Sequence, residues 1–155
     1  MPIMLHLADA RNGKRILRVG IKGHAHQLWH NGRLLALPKA VYCLPVMPDF
    51  YASHQWLREL KRQGVRTILG SYLRLPDDEP VWLGHYGREH QQVSAAEASK
   101  LISTAADPLG YEVVVPRSIQ RGELQRLRNL PQVVGWRFYP KAHDQLPLRT
   151  RIAAA

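Results

Sequence analysis

The chain has 155 residues, enough for one domain with a sizeable core, and its 45% hydrophobic and 22% charged residues are ordinary for a soluble globular protein. It has no apolar run long enough to span a bilayer, no secretory signal pattern at its N-terminus, and a single cysteine, Cys43, which excludes an intramolecular disulfide. The net charge of +10 is uneven: residues 1–75 carry +9, residues 76–112 carry −5 and residues 113–155 carry +6.

These features predict a cytoplasmic protein with no membrane partner. If the two basic segments meet in the fold, they form a surface that attracts polyanions such as nucleic acid or a phosphate-rich cofactor. The alternative is a well-solvated surface without a partner, and charge alone does not choose between the two.

The first half of the chain predicts a mixture of short strands and helices. In chain order these are a strand at 3–7, a short helix at 9–20, a loop at 22–36, a strand at 40–46 and a helix at 48–64. Asp9 is the expected cap of the first helix and Gly20 its end. Ser53 is a candidate N-cap of the second helix, and Gly64 follows it as a stop.

The second half predicts more strands. In chain order we expect strands at 65–75 and 81–87 joined by a polar turn at 76–80, a helix at 94–106, a strand at 111–116, a short helix at 120–129 and a strand at 132–139. Ser94 and Glu97 form a capping box for the helix. Because the order is not a regular βαβ alternation, the sequence predicts an α+β domain over residues 1–140, with a frayed tail at 141–155.

Several common sites are excluded by the motifs that the sequence lacks. It contains no Walker-type phosphate loop, no G-x-G-x-x-G and no G-x-S-x-G. Cys43 lies inside an apolar stretch, which is typical of a buried structural thiol. His24, His26 and His30 are close together, but their spacing fits no standard zinc site, so we predict no metal.

Two polar residues lie within apolar stretches and have no such explanation yet. His6 is embedded in "IMLHL", and Glu112 immediately precedes Val113–Val115. Taken singly, each has an ordinary role: a hydrogen-bonded histidine in a strand, and a solvated carboxylate at a strand end.

Taken in order, the segments resemble the ADP-ribosyltransferase fold. "LHLADARNGKRILRVGI" is similar to its first motif, "AVYCLPVMPDFYASHQWLREL" to its second, an aromatic-bearing strand followed by a helix, and "VRTILGSYLRLPDDEPV" to the core strands that follow. "YEVVVPRSIQRGEL" resembles the third motif, in which a catalytic Glu opens a strand. The resemblance covers roughly residues 3–125 and is closest to DarT-like DNA ADP-ribosyltransferase toxins.

The resemblance implies a split, mixed or antiparallel β-core with short flanking helices, and NAD as substrate. Glu112 would then be the catalytic carboxylate that stabilises an oxocarbenium-like ribose. His6, on a neighbouring strand, would hydrogen-bond the adenosine ribose, and Tyr42 or Tyr51 would stack on the nicotinamide. The pyrophosphate would be met by a basic residue near the helix start, namely Arg11, Lys14 or Arg15.

Three positions depart from the family pattern. Ala8 and Cys43 stand where a hydroxyl residue is common, and Gly110 stands where members that modify arginine carry Glu or Gln. The last departure favours a nucleic-acid or nucleotide acceptor over arginine, and a degenerate, inactive site is also compatible with it.

The resemblance therefore predicts a mono-ADP-ribosyltransferase, in the size range of a toxin or anti-phage effector that a neutralising partner protein would control. An RNA 2′-phosphotransferase and an NAD hydrolase are alternatives on the same fold. A basic nucleic-acid-binding module without enzymatic activity is the alternative that needs only the charge pattern.

Overall fold

Eight strands and four short helices make up the part of the chain that the computed structural model describes, residues 1–130. The strands are β1 (Ile3–Asp9), β2 (His24–His30), β3 (Arg33–Pro45), β4 (Ile68–Arg74), β5 (Pro80–His85), β6 (His90–Ser94), β7 (Tyr111–Val115) and β8 (Leu124–Asn129). The helices are α1 (Gly13–Val19), α2 (Phe50–Ser53), α3 (Leu57–Arg62) and α4 (Ala95–Ser103), with 3₁₀ turns at Ala10–Asn12 and Arg121–Glu123. None of these helices is long and apolar enough to cross a membrane.

The protein is of the α+β class, and its eight strands form one antiparallel sheet. Seven of them follow in the order β6-β5-β7-β3-β1-β4-β8, and β2 pairs with β3 outside this order. The long strand β3 links its parts, because its first half pairs with β2 and its second half pairs with β1 and β7. The β1–β3 ladder is short: it joins Met4 to Pro45 and Leu5 to Leu44. β7, β3 and β1 therefore lie side by side at the centre of the sheet. The pairing of β1 with β3 ends after two residue pairs, and the two strands then separate.

Apolar residues alternate between the two faces of this sheet and bury two main clusters. Val113 and Val115 point into the larger cluster, which α4 covers, while Val114 points into a smaller cluster with Trp82 and Leu28. Tyr42 packs against the smaller cluster. Since alternate residues of a strand share a face, Glu112 lies on the same face as Val114.

The strands and the helix that have the strongest local signals are confirmed. The apolar run at 3–7 is β1, the strand at 111–116 is β7, and the strands at 65–75 and 81–87 are β4 and β5. Ser94 caps α4 by accepting the Glu97 N–H. Asp9 caps the 3₁₀ turn that leads into α1, and Gly20 ends that helix with a φ of 89°.

The prediction of a loop at 22–36 is wrong, because this segment forms a hairpin of β2 and the first half of β3. The turn of the hairpin is Asn31–Gly32, where both residues have positive φ, 51° and 72°. Asn-Gly is the preferred sequence for this two-residue turn. The hairpin matters for the site because it carries His26 and His30 over the sheet.

The prediction of one helix at 48–64 is also wrong, because α2 and α3 are separate. Ser53 is not an N-cap but the last residue of α2. Its hydroxyl accepts the Met47 N–H and donates to the Met47 carbonyl. Trp56 occupies the N-cap position of α3 without a capping side-chain bond. The break between the two helices places Gln55 and Trp56 against the chain that enters β7.

Two further differences concern the C-terminal half. The segment 120–129, predicted as a helix, is a 3₁₀ turn followed by β8. The strands on either side of the 76–80 turn do not pair with each other: β4 lies between β1 and β8, and β5 lies between β6 and β7. The predicted strand at 132–139 and tail at 141–155 lie outside the described residues, so the domain boundary at 140 stays a prediction.

Candidate active site

Glu112 is the second residue of β7, and it is buried, with 7% of its surface exposed. Its Oε1 lies 2.9 Å from Nε2 of His90, the first residue of β6. Within residues 1–130 this is the single hydrogen bond of the Glu112 side chain, so Oε2 has no partner there. The Glu112 side chain keeps 9% of its surface exposed. One oxygen of the carboxylate is thus held, and the other is available.

Tyr42 lies on the adjacent strand, β3, and on the same face as Glu112. Burial raises the pKa of its hydroxyl well above the usual range, and the charges of Glu112 and Tyr86 add to this shift. The phenol is therefore a neutral hydrogen-bond donor at physiological pH. His26 from the hairpin packs edge-on against the Tyr42 ring, with the ring centroids 4.8 Å apart.

His6 lies on β1, where the ladder with β3 stops. Its Nδ1 donates to the carbonyl of Tyr42 over 2.7 Å. Burial lowers the pKa of His6, the bond to that carbonyl opposes the shift, and nearby His24 lowers the pKa further. The imidazole is therefore neutral at physiological pH, and its Nε2 is an acceptor without a hydrogen-bond partner in residues 1–130.

His6 lies on the same face of β1 as Met4 and Ala8, which belong to the larger core cluster, and this is the face opposite to that of Tyr42 and Glu112. It reaches the Tyr42 backbone through the gap between the strands. The expectation that His6 and Glu112 lie on neighbouring strands is wrong, because β3 stands between β1 and β7.

The other predicted binding residues lie apart from this cluster. Tyr51 is 42% exposed on α2, and its N–H bonds the carboxylate of Asp49. Arg11 forms an exposed ion pair with Asp9, with 2.8 Å between Nη2 and Oδ2. Arg15 is exposed on α1. No hydrogen bond, ion pair or ring contact within the described part of the chain joins these three side chains to Glu112.

Two side chains outside the predicted set fix the backbone just before Glu112. Gln55 is fully buried: its Oε1 accepts the Gly110 N–H over 2.6 Å, and its Nε2 donates to the Pro108 carbonyl over 3.0 Å. Trp56 Nε1 donates to the Tyr111 carbonyl over 2.9 Å. These bonds hold the turn at Gly110, where φ is 88°, so the entry of the chain into β7 is defined by the junction of α2 and α3.

The remaining candidates have structural roles. Cys43 is buried, and burial raises the pKa of its thiol to about 12, so it is not a reactive thiolate. His30 donates from Nδ1 to the carbonyl of His90. Among residues 1–130, no group of three or more His, Cys, Asp or Glu side chains is arranged to hold a metal ion.

Five exposed basic residues, called the basic surface below, lie on α1 and on the segments that adjoin it: Lys14, Arg15, Arg18, Lys22 and Arg121. The fold joins the segments that carry these residues, because Ile21 and Ile119 exchange two backbone hydrogen bonds of 2.9 Å and because α1 contacts the 3₁₀ turn at Arg121–Glu123. The acid of that turn, Glu123, is already bonded to Arg117. The two basic segments of the sequence thus meet, and Lys22 leads directly to His24 near His6.

Comparisons of the chain with protein-family models, curated proteins and solved structures found no match. The geometry of the site is therefore the basis for assigning a function.

Proposed function

We propose that the chain is an NAD-dependent mono-ADP-ribosyltransferase. The observation that carries the proposal is a pair of polar atoms on one face of the sheet, without hydrogen-bond partners in residues 1–130: the hydroxyl of Tyr42 and Oε2 of Glu112. One of them is a donor and the other is an acceptor, which suits a ligand rich in hydroxyl groups. Tyr42 and Glu112 lie on the adjacent strands β3 and β7, and His6 of β1, whose side chain belongs to the other face, adjoins them at the Tyr42 carbonyl.

The chemistry that this set supports is cleavage of the bond between nicotinamide and ribose. The bond electrons leave with nicotinamide, which departs as a neutral molecule, and the ribose becomes an oxocarbenium-like cation. A carboxylate oxygen such as Oε2 of Glu112 stabilises that cation electrostatically and can accept a hydrogen bond from a ribose hydroxyl. The acceptor nucleophile then bonds to the ribosyl carbon and releases its proton.

His6 and Tyr42 supply binding. Neutral His6 can accept a hydrogen bond at Nε2 from a ribose hydroxyl, because its Nδ1 proton is already engaged by the Tyr42 carbonyl. The Tyr42 ring offers an aromatic surface for the nicotinamide and a hydroxyl donor beside Glu112. Tyr51, Arg11 and Arg15 are less well placed for these roles.

The acceptor that the surface supports is a nucleic acid. The basic surface holds five exposed cations that form no ion pair within residues 1–130, more than the two phosphates of NAD require. Gly110, two residues before Glu112, offers no side chain to orient an arginine substrate, as the sequence resemblance implies for arginine-modifying enzymes. A toxin role and a neutralising partner protein stay predictions of that resemblance.

Transfer of a labelled ADP-ribosyl group tests this proposal. The protein is incubated with NAD labelled in the adenylate and, separately, with single-stranded DNA, duplex DNA, RNA and a protein mixture. We expect label on a nucleic acid with wild type and with Glu97→Gln, an exposed control on α4, but not with Glu112→Gln. Label on none of the acceptors, with NAD left intact, would overturn the proposal.

A second candidate, a nucleic-acid-binding module without NAD chemistry, is favoured by the basic surface alone. It predicts binding that weakens steeply with salt and no thermal stabilisation by NAD. Stabilisation of wild type by NAD would exclude it. Release of nicotinamide without transfer would instead identify an NAD hydrolase.

A further inference from the structure

His90 and Glu112 meet above a glycine. In the sheet, Gly84 of β5 pairs with His90 on one side and with Glu112 on the other. The two outer residues are therefore two strands apart, about 10 Å between backbones. A Cβ at Gly84 would lie 2.8 Å from His90 Cγ and 2.5 Å from the Glu89 carbonyl oxygen. The missing side chain at Gly84 is what lets the His90 ring cross β5 and reach Glu112.

The hydrogen bonds of His90 determine where its protons lie. Nδ1 faces the Arg88 carbonyl at 2.7 Å, and a carbonyl only accepts, so Nδ1 carries a proton. Nε2 faces Oε1 of Glu112 at 2.9 Å. A neutral ring protonated at Nδ1 would present a lone pair to a carboxylate, which is repulsive. One further proton must therefore lie between His90 and Glu112.

The surroundings place that proton on His90. Burial alone would lower the pKa of His90, but the hydrogen bond and charge of Glu112, the Arg88 carbonyl and the charge of Glu89 together raise it. The titratable and charged groups that face His90 from the packed elements are Glu112 of β7, His26 and His30 of β2, His85 of β5, and Arg88 and Glu89 of the preceding turn. Tyr42 of β3 interacts with Glu112 rather than with His90.

We infer that His90 is the positioning residue of this site: as an imidazolium it holds Oε1 of Glu112 and so aims Oε2 at the ribose. This inference rests on the proposed function. A charged hydrogen bond already fixes one oxygen of the carboxylate. No further ordering of the Glu112 side chain is therefore required when the oxocarbenium-like cation forms. When His90 loses its Nε2 proton, the lone pair repels Oε1 and the orientation is lost.

Nitrogen NMR of the His90 ring tests the pair without NAD. We expect two protonated ring nitrogens near neutral pH in wild type, and a lower titration midpoint of His90 in Glu112→Gln. A ring protonated at Nδ1 alone in wild type, or an unchanged midpoint in Glu112→Gln, would overturn the inference. Because this readout needs no turnover, a failure of the transferase proposal stays distinguishable from a failure of the His90–Glu112 pair.

Kinetics of nicotinamide release test the consequence. His90→Leu removes the donor, and we expect kcat to fall about 100-fold with little change in KM, the order seen when an enzyme loses one oriented electrostatic interaction. His90→Gln keeps an amide donor and should recover most of kcat. Wild type should lose activity as pH rises through the raised pKa of His90, and His90→Gln should not, since an amide does not titrate.

A purely structural role would leave that alkaline decline in place in His90→Gln, and equal kcat in wild type and His90→Leu would overturn the inference. Gly84→Ala, which pushes the His90 ring away, should resemble His90→Leu. Gly122→Ala is its control, because nothing lies within 4 Å of the added methyl group.

Discussion

His6 and Tyr42 are joined side chain to backbone at the point where the sheet opens. The β1–β3 ladder ends at Leu5–Leu44, and His6 Nδ1 then takes the Tyr42 carbonyl that the ladder would otherwise use. The bond fixes the tautomer of His6, so that Nε2 is the acceptor. This one hydrogen bond therefore satisfies the Tyr42 carbonyl beyond the end of the ladder, and it determines which ring nitrogen of His6 carries the proton.

Replacement of His6 by asparagine should separate these two roles. Asparagine can place its amide donor where Nδ1 stands but has no counterpart of Nε2. We expect His6→Asn to raise KM for NAD with little change in kcat, because it removes an interaction that binds ground state and transition state alike. His6→Ala should also lose about 1 kcal/mol of stability by removing the bond to the Tyr42 carbonyl. An unchanged KM in His6→Asn, measured by nicotinamide release, would remove His6 from the binding set.

Three partly buried histidines should make the fold sensitive to acid. Burial lowers the pKa of His6, His26 and His85 below the ordinary value of 6.5, so the stability they contribute is present above that pH and is lost as pH falls through their folded pKa values. His90 acts in the opposite sense, because its pKa is raised and its contribution is lost as pH rises.

Because three histidines have a lowered pKa and only His90 has a raised one among these four, we expect the melting temperature to fall as pH is lowered from about 7 to about 5. His6→Asn should show a shallower fall, since one titrating group is gone. The same pH slope in both proteins, followed by thermal unfolding, would show that His6 does not carry this linkage.

Gln55 should be required for the entry into β7. Gln55→Leu leaves the Gly110 N–H and the Pro108 carbonyl without their buried partner, which costs about 1–3 kcal/mol for each group that stays unsatisfied. Urea unfolding measures the loss. Gln91→Leu, an exposed change on β6, is the control and should stay within about 0.5 kcal/mol of wild type. Equal midpoints for the two variants would mean that Gln55 does not hold this turn.

The basic surface should set the salt dependence of nucleic-acid binding. The triple variant Arg15→Gln, Arg18→Gln and Arg121→Gln should bind a DNA oligonucleotide more weakly, and the slope of log affinity against log salt should fall by about one for each phosphate that is no longer bound. Arg74→Gln, an exposed cation on β4, is a single-site control. An unchanged slope, measured by fluorescence anisotropy over about 50–200 mM salt, would place the binding surface elsewhere.

How far the sequence predicts this fold depends on how local each signal is. β1, β7 and α4 are predicted correctly because runs of apolar residues and a Ser94–Glu97 cap act within a few residues. The hairpin escapes prediction although "HNGR" carries the Asn-Gly turn, because histidines and basic residues dilute the strand pattern. β6, "HQQVS", is polar and is a strand only because β5 pairs with it.

The bulge in β8 explains why the sequence predicts a helix at 120–129 instead of a strand. Leu124 and Leu127 are three residues apart, a helical spacing, yet both pack against the larger core cluster from a strand. A register shift lies between the pairs Leu73–Leu124 and Tyr72–Arg126, so one extra residue restores the face. Such a bulge depends on the partner strand and leaves no local signal.

The candidate site is predictable only in part for the same reason. His6, Tyr42 and Glu112 stand in ordered segments that can be recognised one at a time. His90 cannot be recognised in this way, because its link to Glu112 spans two strands and depends on the absence of a side chain at Gly84.

The rate of nicotinamide release by Glu112→Gln tests the central claim most directly. Glutamine keeps the size and hydrogen-bonding reach of Glu112 but removes its charge, so we expect a loss of at least about 100-fold in kcat while Glu97→Gln stays at the wild-type rate. Thermal unfolding confirms that both variants are folded. Equal rates for folded Glu112→Gln and wild type would contradict the claim that the Glu112 carboxylate stabilises the reacting ribose.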